Sequence, residues 1–362
     1  MAIHQDTMQV LKTESAKPPA VDLSWLNVDQ TWGMKAKPGK RGLTLDEINI
    51  GPYGPPGDDA QELTYRARGA VQREGVPRIG YYLGTKANVW SENATLLYEE
   101  GVQRQWSSAT DIPWEKLEPL PDEIERAMCQ LCTFLTEVEF IAGDTPGQWV
   151  PRISNEHFET KLFLCSQIVD EARHLDVFRK RALVNGGGLL SEGQSGPSLR
   201  VILDAKDFTE MSAIMHVFAE GFIQSLFRTG EYVSYNEAEK LIYRLCYQDE
   251  SRHLGFGVMH LKYILETEPW RRDEIHHYLD QVEGPLSMDT INVSSATPYF
   301  DEAIIVLAGG GLKHVDKGFE KLMAIRKRQI NEYMHRLEVA GMGERRDRMN
   351  PMFRAFLDPP KN

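Results

Sequence analysis

Apolar positions in the middle of the chain recur every three to four residues, the spacing of one face of an α-helix. The clearest stripe comprises Ala127, Met128, Leu131, Phe134, Leu135, Val138, Ile141 and Ala142. Similar patterns, bounded by proline, glycine and acidic residues, predict helices over about residues 59–74, 88–101, 121–144, 155–185, 199–205, 207–233, 235–266, 270–282, 300–307 and 316–340. No stretch alternates apolar and polar residues as a β-strand does, so the predicted fold class is all-α.

Breaks in this pattern predict the organisation of the chain. Residues 1 to about 60 are rich in proline, glycine, lysine and aspartate, which predicts an irregular N-terminal arm. The segment Asp144–Gly147, Asp-Thr-Pro-Gly, is expected to end or kink the helix before it. The predicted division is an arm with lead-in helices over residues 1–115, a helical bundle over 116–345 and a C-terminal tail over 346–362.

Two copies of the frame Asp-Glu-x-Arg-His stand 79 positions apart, at Asp170–His174 and Asp249–His253. In a helix, the glutamate and the histidine of this frame lie on one face, one turn apart. Carboxylate oxygens and imidazole nitrogens favour iron or manganese over the metals that prefer thiolates. A single Glu-x-x-His pair is usually a solvated helix face, but its repetition within one frame, among apolar residues, predicts a metal site.

A helical bundle that binds two metal ions needs two Glu-x-x-His helices and two more helices that give one glutamate each. Glu220 lies 30 residues before Glu250, inside an apolar run. Before the first motif there are two candidates, because Glu139 precedes Glu171 by 32 residues and Glu137 precedes it by 34. Glu139 lies closer to the centre of the apolar stripe and better matches the interval of the second half. Glu139 is therefore the predicted ligand, and Glu137 is the alternative.

The predicted metal ligands, which are also the predicted catalytic residues, are Glu139, Glu171, His174, Glu220, Glu250 and His253. Their four carboxylates balance the charge of two divalent ions. A metal-bound histidine usually donates its other ring N–H to a carboxylate. Asp170 and Asp249 are placed for that role, toward the histidine of their own helix or of the other, and Arg252 is placed to balance their charge.

Composition and charge narrow the possible partners. The chain has 362 residues, 41% of them hydrophobic, which is enough for a sizeable core. A net charge of −12 argues against nucleic acid or an anionic membrane surface as a partner. No stretch has the length and apolarity of a signal peptide or a transmembrane helix, so we expect a cytoplasmic protein.

The twin frame, and Glu139–Ala142 leading into a Thr-Pro-Gly break, resemble the ferritin-like superfamily of dinuclear carboxylate proteins. The resemblance covers about residues 115–265 and is strongest to the oxygen-activating branch. That branch includes the ribonucleotide reductase small subunit, the ligand-binding oxidases similar to it and the catalytic subunit of bacterial multicomponent monooxygenases. The resemblance implies a ferritin-like four-helix bundle with additional helices, two iron ions or a manganese–iron pair, and O₂ as co-substrate. It also implies electrons from a reductase or ferredoxin, and we expect a homodimer.

Three positions depart from patterns within this branch. Phe178 lies four residues after His174, where the reductase subunit usually has its radical tyrosine. Gln224 lies four residues after Glu220, where the monooxygenases often have a threonine. Cys246 stands where some aryl-amine N-oxygenases have a seventh, histidine ligand. The first departure excludes a tyrosyl radical at that position.

The expected function is O₂ activation at the two ions, followed by hydroxylation, desaturation or oxidative cleavage of a small, largely apolar molecule. One alternative is a ribonucleotide reductase small-subunit-like protein without a tyrosyl radical. Another is a metal-binding or iron-storage bundle without turnover. Ligand types alone leave the substrate open and suit both Fe/Fe and Mn/Fe.

Overall fold

The computed structural model describes residues 9, 20–27, 33–60, 64–81, 83–193, 196–291 and 299–359, without the side chains of 196–198 and 284–291. Within these ranges the chain forms helices and three isolated β-bridges but no β-strand. The prediction of an all-α fold is confirmed. Residues 33–60 contain only short helical turns, in keeping with the predicted irregular arm.

The longer helices are α1 (Ala94–Gln103), α2 (Asp122–Trp149), α3 (Phe158–Val184), α4 (Gly196–Leu203), α5 (Phe208–Ser212), a π-helical segment (Ala213–Ala219), α6 (Glu220–Val233), α7 (Glu237–Thr267), α8 (Arg272–Ile291), α9 (Phe300–Gly309) and α10 (Val315–Val339). Four-residue α-helices span Leu45–Ile48, Arg345–Arg348 and Pro351–Arg354. Turns of 3₁₀-helix span Ser24–Asn27, Gly51–Tyr53, Lys86–Asn88, Trp114–Lys116, Val150–Arg152, Asn155–His157, Pro269–Arg271 and Leu312–His314.

Four helices form the central bundle. Helix α2 packs along α3, α6 packs along α7, and α3 also contacts α7. Helix α9 covers α2, and α10 covers α6. Aromatic side chains connect the α2–α3 pair with the α6–α7 pair. Phe163 of α3 stacks on Phe256 of α7 with ring centroids 4.3 Å apart. Both rings are almost fully buried, and each such burial stabilises the fold by about 1.5–3 kcal/mol.

The helix predicted over residues 59–74 is wrong, because the described part of this segment forms turns and bends. Contacts with distant residues replace the local helical hydrogen bonds. The Ala60 amide donates to the Gly84 carbonyl at 2.8 Å. The Arg68 guanidinium donates to Glu159 at the start of α3 at 3.0 Å, and Gly69 has a φ of +83°. Acidic residues near Asp59 resemble a helix start, but tertiary contacts decide the conformation.

The sequence predicted that the Asp-Thr-Pro-Gly segment ends or kinks helix α2; the helix does not end there but continues through Pro146 to Trp149. Proline lacks the N–H that would bond to the carbonyl one turn earlier. The Thr145 hydroxyl donates to the Ile141 carbonyl at 2.7 Å in the same turn. Thr145, Pro146 and Trp149 are all buried, so packing of this last turn holds the helix together.

The single helix predicted over 207–233 is divided by the π-helical segment Ala213–Ala219. At its end, the Glu220 amide donates to the Met215 carbonyl, five residues earlier. Such insertions change the direction in which the following side chains point and are frequent at functional sites. Glu220 directly follows this insertion.

None of the described helices combines the length and apolarity needed to cross a membrane. Beyond α10, Met349 and Phe353 are buried in the same core as Phe218. The division of the chain into arm, bundle and tail stays a prediction.

Candidate dimetal centre

The structure brings together all six side chains predicted as ligands. Their oxygen and nitrogen atoms fall into two groups whose members lie within 4.8 Å of one another: Glu139, Glu171, His174 and Glu250, and Glu171, Glu220, Glu250 and His253. Every one of these residues is at least 96% buried. Glu171 and Glu250 belong to both groups, so each has one carboxylate placed between two candidate ion positions.

Each helix of the central bundle contributes to this cluster. Glu139 comes from the middle of α2, and Glu220 begins α6 after the π-helical segment. The two Glu-x-x-His pairs come from the middles of α3 and α7. Five of the six side chains lie inside long helices and Glu220 lies where the π-helical segment joins α6, so packing across the bundle fixes their positions.

The first group is centred on the Nδ1 atom of His174. This nitrogen lies 3.1 Å from Glu171 Oε2, 3.3 Å from Glu250 Oε1 and 3.9 Å from Glu139 Oε2. These separations are longer than a metal–ligand bond and suit atoms that share one ion between them.

The second group repeats this geometry around the Nδ1 atom of His253. Glu171 Oε1 lies at 3.0 Å, Glu250 Oε2 at 3.4 Å and Glu220 Oε1 at 3.9 Å. The two oxygens of Glu171 therefore face different histidines, and so do the two oxygens of Glu250. The cluster thus has an approximate two-fold arrangement.

The outer nitrogen of each histidine contacts the aspartate of the opposite frame. His174 Nε2 lies 3.2 Å from Asp249 Oδ2, and His253 Nε2 lies 3.2 Å from Asp170 Oδ2. The structure thus decides between the two pairings that the sequence left open. An Nε2–H donated to each aspartate leaves the Nδ1 lone pair directed at the cluster.

Two arginines and one tryptophan surround these aspartates. The Arg252 guanidinium donates to Asp170 at 2.8 Å and to Asp249. Arg173 likewise donates to both aspartates. The Trp106 indole N–H donates to Asp249 Oδ2 at 2.8 Å. Sequence spacing gave no sign of the Trp106 contact, because 143 positions separate it from Asp249.

A chain of buried polar side chains reaches Glu220 from the π-helical segment. Gln167 donates its amide N–H to Glu220 Oε1 at 2.8 Å. The other end of this amide, Gln167 Oε1, lies 3.2 Å from His216 Nε2. Ser212 Oγ lies 2.9 Å from His216 Nδ1. Gln167 was not among the predicted site residues, although it lies four residues before Glu171 and so shares its helix face.

Glu137, the alternative first ligand, lies apart from the cluster. Its carboxylate oxygens accept from the Gly193 amide at 3.1 and 3.2 Å. Glu139 is 3% exposed and reaches the cluster, so the geometry favours Glu139.

No protein-family model matches the chain. No curated protein matches it significantly either. Solved structures with the same fold do exist. An R2-like ligand-binding oxidase with aerobically reconstituted Mn/Fe cofactor has a TM-score of 0.53 and 15% identity, covering 69% of this chain and 93% of that one. A point mutant of an R2-like ligand-binding oxidase with aerobically reconstituted Mn/Fe cofactor has a TM-score of 0.54 and 16% identity, covering 69% and 94%.

The chain has the fold of the R2-like ligand-binding oxidases. The ferritin-like bundle predicted from the twin motif is thereby confirmed. At 15–16% identity the likeness concerns the fold, and the chemistry has to be argued from this chain's own residues.

The pKa values of the clustered side chains indicate that the buried carboxylates favour bound protons or cations. Burial raises the pKa of Glu139 and that of Glu220 well above the ordinary carboxyl range. Burial acts in the same direction on Glu171, but His253 and His174 outweigh it and hold the pKa of Glu171 well below that range. Burial alone would lower the pKa of His253, but Glu171 and its other partners raise it well above the usual value. The protein alone keeps protons here to offset its carboxylates, and two divalent ions would replace them.

The hydrogen bonding of the ligand glutamates agrees with this. Each of Glu139, Glu171, Glu220 and Glu250 has one buried carboxylate oxygen without a hydrogen-bond partner. Unpaired buried polar atoms are costly unless something else binds them. Four such oxygens converging with two imidazoles fit a pair of iron or manganese ions.

An apolar cavity of about 140 Å³ adjoins the cluster. Glu139, Glu220 and Glu250 form part of its wall. The rest is mainly apolar: Phe134, Val138, Ile141, Ala142, Leu199, Ile202, Met215, Phe218, Ala219, Phe222, Ile223, Leu226, Phe300 and Phe353, with Arg326 and Gln329. Three ligand carboxylates thus face a space that suits an apolar molecule.

Proposed function

We propose that this protein is an O₂-activating oxidoreductase with two iron ions, or one manganese and one iron, held by Glu139, Glu171, His174, Glu220, Glu250 and His253. The observation that carries the proposal is that a buried cluster of four carboxylates and two histidines lies beside an apolar cavity. Bound ions would supply the electrons and the Lewis acidity that O₂ reduction needs. The solved structures of the same fold carry Mn/Fe cofactors, which supports the manganese–iron pair, and the ligand types suit both pairs.

The protein's own groups have three tasks in this proposal. Glu171 and Glu250 hold the two ion positions together, because each presents its two oxygens to different histidines. Asp170 and Asp249 fix the ring orientation of those histidines. Apolar side chains around the cavity exclude water from the reacting molecule, which protects reactive species from side reactions.

The cavity supports a small, largely apolar organic substrate, and the reaction class is hydroxylation, desaturation or oxidative cleavage. Its walls offer few hydrogen-bonding groups beyond the ligand carboxylates, Arg326 and Gln329. An iron store has no need for an apolar chamber beside its ligands, so this feature favours turnover over storage. The lack of a tyrosine at Phe178 argues against a reductase subunit that uses a tyrosyl radical there.

Turnover that reduces O₂ fully needs electrons beyond those of the substrate, so we propose a reductase or a ferredoxin as donor. We also expect a homodimer. Phe140 of α2 and Val169 of α3 are 57% and 49% exposed, which supports a further contact surface on these helices. Sedimentation of the purified chain tests the dimer. A cytoplasmic location stays a prediction of the sequence, which cell fractionation tests.

The decisive experiment loads the full chain with ferrous iron, or with manganese and iron, under anaerobic conditions. We expect about two tightly held ions per chain. Exposure to ¹⁸O₂ with a panel of small apolar molecules should then give an oxidised product, detected by mass spectrometry, together with optical and Mössbauer changes at the metals. A Glu250→Ala variant is the matched control and should give neither signal. Ferric mineral far beyond two ions per chain would instead identify a store.

A further inference from the structure

Arg336 of α10 differs from every other buried arginine of the described residues. The others each form an ion pair with a carboxylate: Arg68 with Glu159, Arg181 with Glu125 and Glu239, Arg252 with Asp170 and Asp249, and Arg345 with Glu283. Arg336 is 8% exposed and forms none. A buried charge without a partner is one of the costliest features a fold can contain, so this position calls for an explanation.

The surroundings of Arg336 do not neutralise it. Its Nε and Nη2 atoms are buried and have no hydrogen-bond partner. Tyr333 offers only a ring face, with its centroid 5.9 Å from the guanidinium carbon. Glu332, one turn earlier in α10, pairs with Arg328 at 2.8 Å, and its charge only partly offsets the effect of burial on Arg336. Burial lowers the pKa of Arg336 to about 10, whereas the carboxylate partners of Arg181 and Arg345 raise theirs.

The fold makes room for this guanidinium at a glycine. A Cβ atom at Gly221 would lie 2.4 Å from Arg336 Nη2 and 2.6 Å from its central carbon. Any larger residue would therefore push the guanidinium away from α6. Because Gly221 follows Glu220, the arginine packs against the helix turn that starts at a candidate metal ligand.

Arg336 lines an open cleft of about 630 Å³ between α6, α7 and α10. The charged residues of this cleft are Arg228, Lys327, Arg328, Glu332, Arg336 and Asp358. Asp358 pairs with Lys327 at 2.8 Å, and Glu332 pairs with Arg328 through Oε1, while Glu332 Oε2 is buried without a hydrogen-bond partner. Arg228 and Arg336 keep unbalanced positive charge. The cleft is thus cationic in a chain whose net charge is −12.

We propose that this cleft is a binding site for a small oxyanion, a carboxylate or phosphate group, held by Arg336. A guanidinium presents parallel N–H donors that match two oxygens of such a group, and a site of low exposure strengthens these charged hydrogen bonds. Arg228 adds a second positive charge at the rim. The cleft shares no lining residue with the cavity beside the ligand cluster, and the proposal does not depend on the function proposed for that cluster.

The test measures anion binding by calorimetry on the iron-loaded full chain, at constant ionic strength. Inorganic phosphate and acetate are titrated separately, which distinguishes a phosphate site from a carboxylate site. Arg336→Met should weaken the binding of the preferred anion about tenfold or more, since two charge-assisted hydrogen bonds are lost. Arg328→Met removes a cation of the same cleft that already has a partner, and it should change the affinity by about twofold at most. Phosphate or acetate bound at the metals would persist in Arg336→Met.

Thermal melting gives an independent measurement. In a buffer without oxyanions, Arg336→Met should melt at a higher temperature than the wild type, because it replaces an unpaired buried charge by an apolar side chain of similar length. Adding the preferred anion should raise the melting temperature of the wild type more than that of Arg336→Met. The proposal is overturned if neither anion binds the wild type, if both proteins respond equally, or if Arg336→Met melts lower without anion.

Discussion

The two halves of the cluster have the same types of ligand at similar distances, but the hydrogen bonds made to those ligands differ. In the half formed by α2 and α3, Glu139 extends from a regular helix and accepts no hydrogen bond from an amide side chain of the described residues. In the half formed by α6 and α7, Glu220 follows a π-helical segment and accepts from Gln167. The aspartates that contact the two histidines also differ, because the Trp106 indole N–H donates to Asp249 and not to Asp170.

This comparison indicates that the repeated motif does not give the two candidate ion positions equal surroundings. Ligand type and distance repeat almost atom for atom, so both positions suit the same kind of ion. The partners of the ligands decide how freely each carboxylate moves and how firmly each ring is held. We therefore expect the two ions to differ in affinity, and the following tests are arranged to expose that difference.

The largest effect should separate shared from unshared glutamates. Glu171→Ala or Glu250→Ala removes a ligand from both positions, and bound iron should fall from about two ions per chain to about none. Glu139→Ala or Glu220→Ala removes a ligand from one position only and should leave about one ion. Elemental analysis after loading and desalting measures this. Glu137→Ala is the control and should keep both ions, and loss of metal in that variant would reinstate the alternative ligand.

Replacing the crossed aspartates should weaken one position at a time. Asp249→Asn removes the charge that orients His174, and Asp170→Asn does the same for His253. Each should lower the affinity of one ion by about 10- to 100-fold, seen as a biphasic titration against a competing chelator. Trp106→Phe removes a donor that only Asp249 has, so it should produce a smaller version of the Asp249→Asn result. Equal weakening of both ions in every variant would contradict the crossed pairing.

Gln167→Leu should affect only the half that contains Glu220. The substitution leaves Glu220 Oε1 and His216 Nε2 without their partner, and two unpaired buried groups should cost roughly 2–4 kcal/mol of unfolding free energy. Chemical denaturation of metal-free protein measures this cost. Gln103→Leu, at an exposed position of α1, should change stability by less than about 0.5 kcal/mol. A loss for Gln167→Leu no larger than that of the control would mean that the amide has no supporting role.

The residues seven positions after the two ligand histidines, Arg181 in α3 and His260 in α7, should respond differently to pH. Arg181 in α3 is charged and paired with Glu125 and Glu239, whereas His260 in α7 is buried, and burial lowers its pKa to about 4. The unfolded chain binds a proton at this histidine below about pH 6.5 while the folded chain does not, so stability should fall as the pH falls. Between pH 6.5 and 4.5 the loss from this one group is about 2 kcal/mol.

The matched variant for this pH response is His260→Gln. It retains a group that can bond to Thr209 and to the Trp90 carbonyl, and it should show a shallower fall in unfolding free energy over the same pH range. Denaturation curves at several pH values give the comparison. An unchanged slope would show that His260 takes up its proton in the folded state.

The sequence predicted the bundle and the members of the cluster because helix periodicity and the Glu-x-x-His spacing are local signals. It failed where distant residues decide the conformation. Arg68 is held by Glu159, and this contact belongs to an extended segment where local acidic residues suggested a helix. Helix α2 passes its Thr-Pro-Gly segment because Trp149 is buried beyond it.

Inside the centre, the missed features are also non-local. In the sequence, Glu139 and Glu137 differ only slightly in their angular distance from the centre of the apolar stripe. The Gly193 amide, distant in sequence, donates to Glu137 and holds it away from the cluster. No spacing rule indicates that Trp106 reaches Asp249. The π-helical segment before Glu220 was hidden because its residues are apolar and fit an ordinary helical pattern.

The exchange of aspartates between α3 and α7 has a consequence for how such a centre can arise and fail. The Nε2 atom of each histidine contacts an aspartate of the other helix, so a half-chain consisting of one motif and its upstream glutamate would lack this contact. Such a half-chain would have to form a dimer with a second copy of itself before its histidine had an aspartate partner. In the present single chain, we expect that displacing either α3 or α7 would weaken both candidate ion positions together.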